Sequence, residues 1–241
     1  MEEVCVMKVR IKFSKTGPVK FVGHLDTMRY FQKAIRRAEL PAAFSGGYSP
    51  HMIMSFAAPL GVGTESSGEY FDLELTDTVP TEEIKNKLNA VMAEGFQVIS
   101  ARQVEDGKAS KAMSLVAAAD YAIRFRPGKE PAGQWKSQIL PFYQQSSIVV
   151  MKKTKRSEKE VDIRPFIYEM RLDGEEIFMK LASASGNYTK PELVMDTFCR
   201  WMGEEPKSFA YMIRRLEVYA QEETAGEIAF VSLEALGENV E

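Results

Sequence analysis

The chain has 241 residues, 45% hydrophobic and 27% charged, enough for one large core or for two domains of roughly 100 to 150 residues. No apolar run approaches the ~18 residues of a membrane span, and the acidic start Met1-Glu2-Glu3 is unlike a secretory signal, so a cytoplasmic protein with no membrane role is expected. The net charge of −3 conceals four blocks: +5 over residues 1–56, −7 over 57–107, +7 over 108–171 and −8 over 172–241, so each half begins basic and ends acidic.

Val4 to Lys15 alternates Val4, Val6, Val9, Ile11 and Phe13 with Lys8, Arg10, Lys12 and Ser14, the pattern of a half-buried strand. Gly17-Pro18 ends it. From Leu25 to Leu40 the spacing turns helical, with Leu25, Met28, Phe31 or Gln32, Ile35 and Ala38 on the inner stripe and Arg29, Lys33, Arg36 and Arg37 making a basic outer stripe; Pro41 stops the helix. Residues 42–63 are rich in Gly, Pro, Ser and aromatics, with Met52 to Phe56 strand-like inside them. Glu69 to Leu75 reads as a strand, Thr81 to about Glu94 as a helix opened by Pro80 and closed by Gly95, and Phe96 to Val104 as the last strand.

This β-α-β-β-α-β order is the ferredoxin-like split arrangement. The second half repeats it less regularly. Asp120–Arg126, Ile148–Lys155, Val161–Leu172 (broken at Arg164-Pro165) and Phe178–Ala184 are strand-like. Gln134–Gln145 is a helix interrupted by Pro141, and Glu192–Met202 follows Pro191 as an amphipathic helix. Arg214–Ala220 fits a closing strand, although Tyr211–Tyr219 also fits a helix. The reading is therefore α+β: two ferredoxin-like units in tandem, residues 1–106 and 112–241, the second ending in an acidic tail.

The only two histidines sit at pattern breaks, His24 in Gly23-His24-Leu25-Asp26 and His51 in Gly46-Gly47-Tyr48-Ser49-Pro50-His51. Gly23, Asp26, Gly46, Gly47 and Pro50 are the loop-shaping positions. Phe44, Tyr48 and Phe56 can stack on unpaired bases while Arg29, Lys33, Arg36 and Arg37 hold phosphates; Lys152, Lys153, Lys155, Arg156 and Arg164 extend the contact surface into the second half. For each aromatic the alternative is packing in the sheet. Ser185-Gly186-Asn187 before the Pro191 helix is a generic anion-binding sequence. Cys5 and Cys199 read as small buried hydrophobes, and neither they nor the histidines show metal-ligand spacing, so no metal is expected.

Phe21-Val22-Gly23-His24-Leu25-Asp26, Arg36-Arg37-Ala38-Glu39-Leu40-Pro41, Tyr48-Ser49-Pro50-His51 and Ser55-Phe56-Ala57-Ala58-Pro59-Leu60, followed by Glu69-Tyr70-Phe71-Asp72, resemble the radical-SAM-linked domain of unknown function. Glu160-Val161-Asp162-Ile163-Arg164-Pro165 and the segment from Gly186 to Glu192 are similar to the family pattern further on. Where the family more often has Asn-Pro-His, this chain has Ser49-Pro50-His51. The resemblance implies work beside a radical SAM protein with a cobalamin-binding type domain, on RNA or a ribosome-related substrate.

Two distant cysteines cannot hold an iron-sulfur cluster, so SAM, cluster and cobalamin are expected only in that partner, and no cofactor in this chain. Two readings follow. The first is a non-catalytic accessory or RNA-binding module. The second is a metal-independent endoribonuclease similar to CRISPR repeat-processing enzymes, with His24 and His51 as candidate acid and base.

Overall fold

The structure, a computed structural model, describes residues 6–105, 107, 110–153, 158–224 and 226–241. In chain order its elements are β1 (Met7–Lys15), α1 (His24–Arg37), β2 (Met54–Phe56), β3 (Glu65–Leu75), α2 (Thr81–Asn89), β4 (Phe96–Gln103), α3 (Ala112–Leu115), β5 (Val116–Phe125), α4 (Trp135–Tyr143), β6 (Val149–Lys153), β7 (Glu158–Asp162), β8 (Ile167–Asp173), β9 (Glu176–Ala182), α5 (Pro191–Trp201), β10 (Tyr211–Thr224) and β11 (Glu227–Ser232). The class is α+β, as expected. Two compact units are present: residues 1–117 with 217–241, and residues 118–216. The division therefore falls after the expected 106–112 boundary. The acidic C-terminal stretch, read as the tail of the second half, belongs to the first unit.

In the first unit β1 lies between β4 and β3, antiparallel to both, and β2 pairs with β3 on the register Phe56 opposite Phe71. Period-2 alternation sends Val9, Ile11 and Phe13 of β1 to one face, where Phe31 and Ile35 of α1 and Ile84 and Leu88 of α2 complete the core. Four rings knit that core. Phe13 stands 4.5 Å from Phe31, 5.9 Å from Phe56 and 5.8 Å from Phe71 between centroids, in tilted and edge-on geometries that favour ring quadrupoles. On α1 the buried positions are Thr27, Phe31, Ala34 and Ile35, while Leu25, placed on the inner stripe by its spacing, is exposed. The helix ends at Arg37, ahead of Pro41, and Glu39 turns the chain with a φ of 52°.

The opposite face of β1 departs from expectation. Lys8, Arg10 and Lys12, read as the solvent side of a half-buried strand, are covered: Lys8 is 4% and Arg10 1% exposed. The cover is the chain around residue 110, β10 from Glu217 onward, and the 3-10 turn Leu233–Leu236 that follows β11.

The second unit has the strand order β10–β5–β9–β8, using β10 up to Leu216. Ala122 of β5 faces Phe178 of β9, and Met170 of β8 faces Met179. α4 and α5 meet through Phe142, whose ring is 5.4 Å from Phe198 and 5.7 Å from Trp201. Residues 211–219 are strand, which settles the helical alternative: Tyr211, Ile213, Arg215 and Val218 are covered to different degrees along a sheet, and a helix would forfeit the ladder to β5. β6 and β7 form a separate hairpin with Val150 opposite Val161.

Candidate functional site

Cations of β1 face acidic or polar side chains of β3: Lys8 opposes Glu74, Arg10 opposes Asp72, and Lys12 opposes the Tyr70 phenol. Arg10 Nε donates to Asp72 Oδ1 at 2.8 Å and Nη2 to Oδ2 at 3.3 Å; the remaining donors reach the Leu233 carbonyl (Nη1, 3.1 Å) and the Ser110 carbonyl (Nη2, 2.8 Å). The backbone N–H of Ala112 adds a third donor to Asp72 at 2.7 Å. A buried guanidinium and carboxylate are tolerable because four of the five guanidinium N–H donors and both carboxylate oxygens are engaged.

One rung along, Lys12 Nζ donates at 2.7 Å to both Glu217 and Glu234, the Tyr70 hydroxyl donates to Glu217 at 2.6 Å, and Ser100 donates to Glu234 at 2.6 Å. Burial alone lowers the ammonium's affinity for its proton, but the two carboxylates outweigh it and hold the Lys12 pKa above the usual lysine range. Burial likewise opposes ionisation of Glu234, yet its bonds from Lys12 and Ser100 win, and its pKa lies below the ordinary carboxylate range. Burial first, then Glu217, pushes the Tyr70 phenol far up, so it is a hydrogen-bond donor at any working pH.

The histidine-bearing stretch folds as a hairpin against this edge. Ala43 N–H donates to Glu74 O, Ile53 N–H to Ala43 O, and Ser45 N–H to His51 O, so Gly46 to Pro50 are its exposed tip. Gly47 has a φ of 98°, a conformation glycine adopts without strain; Gly23 and Gly46 are not in that region. The Ser45 hydroxyl accepts from the His51 N–H at 3.1 Å and lies 2.7 Å from His51 Nδ1, which orients the exposed ring and leaves Nε2 as its free nitrogen. Gly23 is the N-cap of α1, Asp26 pairs with Arg29 at 3.2 Å on the surface, and the His24 ring stands edge-on to Phe56 at 5.3 Å. No hydrogen bond, ion pair or ring contact among the described residues joins His24 to His51.

Of the stacking candidates, Tyr48 is fully exposed at the hairpin tip, whereas Phe56 is a core ring and Phe44 packs against the core. Arg29, Lys33, Arg36 and Arg37 are all exposed on the outer face of α1; Arg37 donates to the Val91 carbonyl, and Lys33 and Arg36 have no partner among the described residues. Arg164 is half-buried and already engaged within its own unit. It donates to the carbonyls of Gln145 and Ile167 and lies 4.2 Å from the Tyr143 ring centroid, fixing the turn between β7 and β8.

Lys152 and Lys153 lie in β6, while Lys155, Arg156 and Cys5 fall outside the described residues. Cys199 is buried, and that burial raises its thiol pKa despite the nearby Tyr211 hydroxyl. In the Ser185–Asn187 segment, the Asn187 side-chain oxygen is buried without a hydrogen-bond partner among the described residues. No group of three or more His, Cys, Asp or Glu side chains among the described residues is arranged to hold a metal, and no helix is long and apolar enough to cross a membrane.

These features define an α+β protein whose first unit carries a buried charge ladder beneath a glycine-rich hairpin. The chain belongs to the family described as an uncharacterized protein conserved in bacteria (DUF2344), whose profile matches residues 8–191 and thus includes the ladder strands, α1 and the hairpin. No curated protein shows significant similarity to the sequence. Among solved structures, a chain in the crystal structure of a Cbf5-Nop10-Gar1 complex is similar at 11% identity over 87% of this chain, with a TM-score of 0.42. This chain spans about half its length (48%). An unknown protein from Galdieria sulphuraria is similar at 12% identity, covering 93% of this chain and 98% of that one, with a TM-score of 0.24.

Proposed function

We propose that the chain is an RNA-contacting accessory module, built from two split β-α-β-β-α-β units and acting in the cytoplasm beside a radical SAM protein with a cobalamin-binding type domain. The observation that carries the RNA part is the outer face of α1, where Lys33 and Arg36 stand exposed, with no partner among the described residues, between Arg29 and Arg37. Tyr48, in the same unit, offers an exposed ring on which a base can stack. Charge supplies affinity without sequence, and the ring supplies a preference for unpaired nucleotides. The enzyme partner rests on the family resemblance of the motifs around His24 and His51.

Single-stranded RNA binding by fluorescence anisotropy across a salt series tests the first part. Four phosphate contacts give a log–log salt slope near about −2.8, and Lys33→Glu with Arg36→Glu flattens it by about 1.4. Absence of binding at low salt, or an unchanged slope in the double variant, removes the RNA reading. Capture of the intact chain from native extract without any radical SAM protein removes the partner.

A further inference from the structure

A cavity of about 150 Å³ lies beneath the hairpin in the first unit, lined by Lys8, His51, Met54, Ser55, Asp72, Glu74 and Lys111 among others. We propose that it is a binding site for a phosphoryl group.

Lys8 carries the argument. It is 4% exposed, and among the described residues the one acceptor its ammonium reaches is the Gly107 carbonyl at 3.5 Å, the outer limit of a hydrogen bond. An ammonium has three donors, and a buried cation is costly unless an anion or several acceptors meet it. Asp72 is engaged by Arg10 and the Ala112 N–H, and no ion pair joins it to Lys8. No ion pair joins Lys8 to Glu74, its cross-strand neighbour. Lys111, with no side-chain partner among the described residues, lines the same cavity, as does His51, whose free ring nitrogen is Nε2.

The inventory thus holds two ammonium groups, an imidazole and the Ser55 hydroxyl against one uncommitted carboxylate, Glu74. A phosphoryl group carrying one P–OH, as in hydrogen phosphate or a monoester monoanion, complements it: the unprotonated oxygens accept from the cations and the P–OH donates to Glu74. Size agrees. A cavity of about 150 Å³ has room for the five heavy atoms of a phosphate. Such a group comes either from free phosphate or from the end of an RNA strand, and only the second source rests on the RNA reading above.

Because His24 and His51 are the only histidines, their ring resonances test the site with a built-in control. Inorganic phosphate, titrated at constant ionic strength and pH, is expected to move the His51 ring signals saturably and leave those of His24 in place. Lys111→Ala, a change at an exposed residue, weakens that response about tenfold, the factor for one charge-assisted hydrogen bond. Lys8→Met abolishes it where hydrogen exchange shows that variant folded.

A 5′-phosphorylated oligoribonucleotide saturates His51 at lower concentration than its 5′-hydroxyl twin if RNA is the source. Equal response to inorganic phosphate and no response to either oligonucleotide assigns the site to free phosphate. His51 signals that stay still under phosphate, or that move together with His24, overturn the proposal. RNA that binds through α1 without touching His51 in either form removes the RNA source. RNA that fails to bind at all, with a saturable phosphate response, overturns the RNA reading and leaves the site standing.

Discussion

Arg10→Met is the sharpest test of the ladder. The substitution keeps the length of the stem but deletes both bonds to Asp72, at 2.8 and 3.3 Å, and those to the carbonyls of Leu233 and Ser110. Asp72, 3% exposed, is left with the Ala112 N–H alone. Removing one member of a buried, hydrogen-bonded ion pair costs about 3–5 kcal/mol, because the survivor is an uncompensated charge in low dielectric. Asp72→Leu strands Arg10 in the same way. In the double variant neither partner is left as an uncompensated charge, so its cost falls short of the sum of the singles by about 2–3 kcal/mol. Both tryptophans, Trp135 and Trp201, belong to the second unit, so their fluorescence follows the wrong half of the molecule. Amide hydrogen exchange at β1 and β3 is the suitable assay. A single-variant loss below about 1 kcal/mol, or additivity within about 0.5 kcal/mol, would refute the view that Arg10 and Asp72 are a desolvated, mutually dependent pair.

The Lys12 cluster sets a pH window. Glu234 has its pKa lowered on folding, so its contribution is complete above about pH 4.3 and disappears as pH falls through the folded value; Lys12 has its pKa raised, so its contribution is complete below about pH 10.4 and fades as pH rises through the folded value. Glu234→Gln should therefore flatten the acid limb of a stability–pH curve for the first unit, and superimposable acid limbs would count against the assignment. Gly95 has a φ of 94°, and a Cβ there would sit 2.6 Å from the Thr16 carbonyl oxygen and 2.7 Å from a Val19 methyl. Gly95→Ala is expected to cost about 1–3 kcal/mol from the backbone alone, with more from the overlap; thermal melts indistinguishable from the parent would show that the α2–β4 turn can relax.

Local rules served the sequence well wherever a neighbour along the chain decides the outcome. Period-2 alternation placed Val9, Ile11 and Phe13 inward, and Pro41, Pro80 and Pro191 marked helix limits close to where the chain turns. The failures share one cause. Whether the second face of β1 meets water depends on Glu217 and Glu234, over 200 residues away, and no local pattern reports that. A signal was nonetheless present: Lys8, Arg10 and Lys12 alternate with the same period as Tyr70, Asp72 and Glu74, and antiparallel pairing of the two runs matches cation to acceptor rung by rung. Phe56 shows the same limit from the other side. The sequence leaves its ring between base stacking and packing in the sheet, and the β2–β3 pairing, which puts it opposite Phe71, decides for the core.

The ladder also explains what the charge blocks mean. The first block holds nine basic residues, and the fold treats them in two ways. Five lie on β1 or the turn after it. Arg10 and Lys12 neutralise carboxylates from the two acidic blocks, Lys20 pairs with Glu65 at 3.0 Å, and Lys15 donates to the Val22 carbonyl. Lys8 alone among the five is buried with a single marginal acceptor among the described residues. The other four, Arg29, Lys33, Arg36 and Arg37, project from α1 into solvent with at most a surface pair or a carbonyl. The carboxylates Asp72, Glu217 and Glu234 are thus met by β1 and not by α1, whose basic side chains stay on the surface. That division ties the two proposals to separate residues: charge reversal on α1 should abolish RNA contact without moving His51, and loss of Lys111 should blunt the phosphate response without changing the salt slope.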